Sequence, residues 1–137
     1  MILLDTVVLS ELRKAKPNAG VTAYLKGQTG DTTFISALSI GEIEAGIERQ
    51  RTENSEFALE LEQWLVTLEL EFSRFILPVT PAIAKLWGRL CVRTGNKGID
   101  NLIAATGLCH NLTIVTRNVK HFQPTRAKVF NPFSSRD

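Results

Sequence analysis

The chain has 137 residues, 44% of them hydrophobic and 22% charged, with a formal net charge of +2. That balance describes one soluble globular domain able to bury a core without staples, and it excludes disordered, collagen-like and disulfide-framework chains. Met1-Ile2-Leu3-Leu4 is too short an apolar run before Asp5 to read as a signal peptide, and no stretch approaches a membrane span, so a cytoplasmic protein with no membrane role is expected.

Residues 2–4 form an apolar run that predicts a buried strand ending at Asp5. A helix follows over 7–14, and Pro17-Asn18 breaks it, with Asn18 placed to cap a second short helix through Tyr24 and Leu25. Gly27, Gly30 and Asp31 mark a turn, and the β-branched and aromatic run over 32–35 predicts a strand. Helices are predicted over 39–49 and 54–72, the second from Phe57, Leu61, Trp64, Leu65 and Leu68 at three- and four-residue steps. Residues 75–79 read as a third strand whose Pro78 marks an end or an edge. A helix over 80–93, a loop over 94–98, a helix over 100–110 and strands over 112–116 and 127–130 complete the order. Strands alternating with helices predict an α/β fold, with a parallel sheet of four to five strands flanked by helices on both faces. Residues 1–137 are read as a single domain, with a loose tail over 134–137.

Cys91 and Cys109 lie in apolar helical patterns and are expected as reduced core thiols; His110 and His121 join them at no zinc-like spacing. Charge is polarised along the chain. Residues 42–71 hold nine acids and two bases, whereas residues 74–136 hold ten bases and one acid, Asp100. That lone acid either pairs with a neighbour or awaits a cation.

In a parallel α/β sheet, functional groups gather beyond the carboxyl ends of the strands. Asp5 follows the first strand directly, and Asn118 comes two residues after the fourth. Glu42 and Asp100 fall in predicted first turns of helices, so three distant acids can converge. Each also has a capping reading. Asp5 and Asp100 suit the helices after them, Ser39-Ile40-Gly41-Glu42 matches a capping box with Ser39 as N-cap, and Asn118 suits an Asx turn. Capping and metal binding are compatible. Convergent carboxylates repel unless a cation joins them, and oxygen donors select Mg²⁺ or Mn²⁺ over zinc. An ion so held activates water and clamps phosphate oxygens, which makes phosphodiester hydrolysis the natural reaction.

The flanks of these residues resemble the PIN-domain family, specifically VapC/FitB-type toxins of type II toxin–antitoxin systems. The matching segments are residues 2–12 around Asp5, 39–47 around Glu42, 100–106 around Asp100, 115–122 around Asn118, and the closing 129–133. The resemblance implies a PIN-like three-layer fold and a Mg²⁺- or Mn²⁺-dependent endoribonuclease, usually a homodimer, silenced by a small antitoxin that occupies its site. By that likeness Asp5, Glu42 and Asp100 coordinate the metal, and Thr116 and Asn118 match the polar pair at the fourth position. Three departures stand out: Val7 where many relatives carry Asn, Asn118 where the family often has Asp, and His121-Phe122 where Asp-Phe is common. One tightly held ion is expected, with a second arriving with substrate.

For the RNA phosphates, Arg117 beside the site is the first choice, with Thr6 and Thr116 as polar neighbours. Lys85, Arg89, Arg93 and Lys97 recur every four residues as a solvated or nucleic-acid-binding stripe, and Arg13, Lys14 and Lys16 form a smaller basic cluster. The tryptophans read as core. The acidic 42–71 segment reads either as an ordinary surface helix pair or as one wall of a groove for an antitoxin helix. Two other functions compete. A phospho-acceptor module needs paired acids after the first strand and an Asp after a middle strand, and no Asp lies between 32 and 99. A catalytically weak or dead PIN-like module that binds RNA or protein fits Asn118 and Val7, but the three retained acids argue against it.

Overall fold

A computed structural model describes residues 1–134 of the chain. Strand β1 (Ile2–Leu4) leads into helix α1 (Thr6–Leu12) and then α2 (Ala19–Lys26). A 3₁₀ turn at Gly30–Thr32 precedes β2 (Thr33–Ser36), and the helices α3 (Ala37–Glu53) and α4 (Ser55–Glu71) follow. After β3 (Ile76–Leu77) come α5 (Pro81–Thr94), α6 (Ile99–His110), β4 (Thr113–Val115), α7 (Val119–Phe122), a second 3₁₀ turn at Gln123–Thr125, and β5 (Val129–Phe130). All strand pairs are parallel, in the order β3-β2-β1-β4-β5, with Leu3 opposite Phe34 on one side and Ile114 on the other.

Alternation along the strands divides the core. Ile2, Leu4, Ile35 and Val115 pack on one face with α1 to α4; Leu3 and Ile114 pack on the other with α5 to α7. Fully burying each such side chain contributes about 1.5–3 kcal/mol. The expected three-layer α/β fold is therefore present, with β1 buried at its centre.

Several boundaries differ from the sequence reading for local reasons. The third strand shortens to two residues because Pro78 has no N–H to extend the ladder. Helix α3 begins at Ala37, where the Ser36 side chain accepts from Leu38 N at 3.0 Å, so Ser39 is not its N-cap. A single residue, Asn54, ends α3 and caps α4 by accepting from Phe57 N at 3.1 Å. Helix α7 is too short to show a periodicity in sequence. Ser134 is not loose: Asn18 Oδ1 accepts its N–H at 3.0 Å, tying the chain's end to α2; residues 135–137 of the expected tail lie outside the described residues. Cys91 is buried as expected, but Cys109 is exposed. Among the described residues, no helix is long and apolar enough to cross a membrane.

Candidate active site

From β1 the chain crosses to β2 on one side, and from β4 it passes to β5 on the other, so the carboxyl ends of β1 and β4 flank the topological switch point. Asp5 and Thr116 sit at those two ends. The Thr116 hydroxyl donates to Asp5 Oδ2 at 2.8 Å across the switch, and Thr6 N donates to Oδ1 at 2.9 Å. Asp5 thus caps α1 and is only 6% exposed. The Thr6 side chain turns toward α3, donating to Glu42 Oε1 at 2.6 Å and hydrogen-bonding Ser39 Oγ at 2.8 Å. Ser39 is fully buried and supports Thr6. Because α3 starts two residues earlier than expected, Glu42 lies in its second turn, with no capping box.

Asp100 enters from α6, whose N-cap is Gly98, so Asp100 is a first-turn residue and not the cap. Buried Asn101 anchors this turn, its side-chain amide donating to Thr94 Oγ1 at 2.8 Å and Asn96 O at 2.6 Å. His121 Nδ1 lies 3.1 Å from Asp100 Oδ2, so the residue standing at the family's Asp-Phe position holds the third acid. Asn118 occupies the N-cap position of α7 but makes no side-chain cap. Its backbone N–H donates to Thr116 Oγ1 at 3.0 Å, so the local turn is built on the threonine and not on an Asx turn. Val7, on α1, packs against the core and makes an apolar contact there. Arg117 is exposed, its guanidinium 4.0 Å over the Phe133 ring.

Burial is the largest influence on Asp5 and pushes its carboxyl above the ordinary aspartate range. The hydrogen bonds from Thr116 and Thr6 oppose this, and the charges of Asp100 and Glu42 push it further up. Glu42 and Asp100 are thus near enough to act on the Asp5 carboxyl. No Lys or Arg among the described residues lies within 4.0 Å of any of them. Equally, no three His, Cys, Asp or Glu side chains among the described residues are close enough to hold an ion directly. Thr6 stands between Asp5 and Glu42 instead. The chemistry of an all-oxygen donor set suits a hard cation that keeps water ligands, as Mg²⁺ does, and not zinc.

Thr6 and Glu42 open onto a groove of about 300 Å³ between α1, α3 and α4, also lined by Ser10, Arg13, Arg49 and Trp64. Trp64 is half-buried there, packing on the core while its other face meets the groove. Lys85, Arg89 and Arg93 are exposed along α5, with Lys97 in the loop beyond it.

The PIN domain family profile matches residues 2–126. The chain belongs to the PIN-domain family. Within it, this PIN domain falls with the VapC/FitB-type toxins. It is 33% identical to Toxin FitB of Neisseria gonorrhoeae over 97% of this chain and 99% of that protein. It is 31% identical to VapC ribonuclease Y4jK of Sinorhizobium fredii over 97% of this chain and 98% of that protein. The crystal structure of FitAcB from Neisseria gonorrhoeae superposes with a TM-score of 0.74 at 28% identity, covering 96% of this chain and 98% of that one.

Sequence reasoning missed two supports of this PIN-domain site. Ser39 has the spacing of a capping box with Glu42; both Ser36 and Ser39 are fully buried, and what separates them is that Ser36 caps α3 while Ser39 bonds Thr6. Asn101 carried no signal beyond its place beside Asp100.

Proposed function

We propose that this PIN domain is a metal-dependent endoribonuclease and the toxin of a toxin–antitoxin pair. The observation that carries the reading is the placement of Asp5 at the switch point, with Glu42 joined to it through Thr6, Asp100 near enough to act on it, and no Lys or Arg among the described residues within 4.0 Å of the three. Likeness to proteins called a VapC ribonuclease and a toxin supports RNA as substrate and a small antitoxin as partner.

Asp5, Glu42 and Asp100 would hold Mg²⁺ or Mn²⁺, in part through water. When bound, such a cation makes water more acidic and offsets the charge gathering on the phosphate during in-line attack. The protein's part is preorganisation. Thr116 and Thr6 pin both oxygens of Asp5, Ser39 and Thr6 hold Glu42 against α1, and His121 and the Asn101 anchor hold Asp100. Asn118, beside Thr116, supplies a neutral amide for water or phosphate, and Arg117 a nearby positive charge. The antitoxin silences the enzyme by covering this site. A homodimer in the cytoplasm completes the proposal, and sedimentation reads its copy number.

The test incubates purified chain with single-stranded RNA, with and without Mg²⁺ or Mn²⁺, beside Asp5→Asn and Asp100→Asn. Metal-dependent cleavage abolished by both substitutions is the expected result. Cleavage that survives either one, or no cleavage with any metal, overturns it; the latter outcome makes the chain a binding module.

A further inference from the structure

We propose that Arg13 and Arg49 hold backbone phosphates of the RNA strand, which runs from the three acids along the groove between α1 and α3. The inference rests on the ribonuclease reading and adds the residues that seat the substrate.

Each arginine ends a helix face that begins at the site. Thr6, Ser10 and Arg13 follow at steps of four and three from the start of α1; Glu42, Gly46 and Arg49 do the same on α3, and all six line the groove. The two faces meet at the Thr6–Glu42 hydrogen bond. Seven residues of helix rise about 10 Å, which places both guanidiniums about one or two nucleotides from the acids.

Neither arginine has a carboxylate within 4.0 Å among the described residues. The contrast with Arg51, two residues beyond Arg49, is sharp: Glu44, Glu48 and Glu62 all reach it. Nine acids lie between 42 and 71, yet the arginine on the groove is the one left without an ion pair. A ring contact holds Arg13, and Arg49 folds back along its own helix. Arg13 lies 5.1 Å over the Phe57 ring, and an Arg49 Nη atom lies 3.9 Å from where a Cβ on Gly46 would sit, so that guanidinium leans back toward Glu42. A strand approaching three carboxylates meets like charge, and unpaired guanidiniums beside them supply the compensating attraction with the fork geometry that phosphate oxygens accept.

Arg13→Gln, Arg49→Gln and the double variant would be made in the wild-type and Asp5→Asn backgrounds. Binding of a single-stranded RNA oligomer to the Asp5→Asn proteins is measured by fluorescence anisotropy across a salt series. Each substitution should lower the slope of log affinity against log salt by about 0.7 and weaken low-salt binding about tenfold. In active protein, KM should rise with kcat nearly unchanged, and Arg49→Lys should recover part of the loss. Arg51→Gln, which removes an already neutralised charge, should leave the slope unchanged. An unaltered slope and KM in the double variant overturns the inference and leaves the groove to a protein partner; so does a lowered Tm with an unaltered slope, which marks the arginines as structural. Absence of cleavage by the wild type defeats the ribonuclease reading instead, and the binding series still judges the arginines.

Discussion

At the α3–α4 hairpin, Glu44, Glu48 and Glu62 converge on Arg51, whose own pKa is raised, first by its hydrogen bond to Glu48. At the end of β1, Asp5, Glu42 and Asp100 converge with hydroxyls and one histidine for company. The residue types are the same and the electrostatic solution is opposite. At the exposed hairpin, the protein supplies its own cation, and water does most of the screening. At the half-buried site no Lys or Arg among the described residues comes within 4.0 Å of the acids, and burial above all leaves the Asp5 carboxyl resisting ionisation. On the proposed reading, the acids left without a basic partner here, while others a few turns away are neutralised, take their counter-charge from a bound cation.

The comparison breaks most readily at Glu42. Glu42→Gln keeps the shape and an oxygen for Thr6 but removes a charge, so RNA cleavage should fall at least about a hundredfold in initial-rate assays, with no loss of Tm. Retained activity would put Glu42 on a par with the hairpin acids.

Thr116→Val tests the hydroxyl that spans the switch point. It deletes the bond to Asp5 and strips Asn118 N–H of its acceptor. Urea denaturation should show a loss of about 1–3 kcal/mol, and cleavage should drop about 10- to 100-fold. A stability loss without a rate loss would mean that the threonine merely builds the turn.

Asp5 itself makes a pH-dependent prediction. Its folded pKa lies above the unfolded one, so ionising it costs stability as pH rises past the unfolded value, and the full cost stands above the folded value. Asp5→Asn should therefore melt at or above the wild-type temperature at neutral pH, the gap closing below the ordinary aspartate range. Mg²⁺ or Mn²⁺ should raise the wild-type Tm and leave that of Asp5→Asn nearly unmoved. Equal shifts in both proteins would deny that the ion binds there.

The smallest effect belongs to the hairpin. Arg51→Gln should lower Tm slightly, the difference fading in high salt, because its ion pairs are exposed. A large, salt-resistant loss would show that the two carboxylate groups are less different than the geometry makes them.

Much of this was open to reading along the chain. The apolar runs at 2–4 and 112–116, helices between strands, and Asp5 directly after the first run are short-range signals, and they led to the parallel sheet and to the right ends of its strands. Local signals also misled. Ser39 followed by Glu42 has the spacing of a capping box, but β2 runs on to Ser36, paired with Leu77, so the helix opens there and Ser39 turns inward to Thr6. Asn118 looked like the turn-former, yet Thr116 makes the bond.

By itself the sequence determined most of the succession of elements and the α/β class, and it placed Asp5 directly after the first strand, since periodicity, caps and breakers act within a few residues. Only the tertiary structure decided the strand order that puts Thr116 against Asp5, the pairing of His121 with Asp100, and which arginine is neutralised and which is not. Those depend on groups up to 111 positions apart in the chain meeting across a shared crevice, and electrostatic interactions run through space, where sequence separation sets no distance.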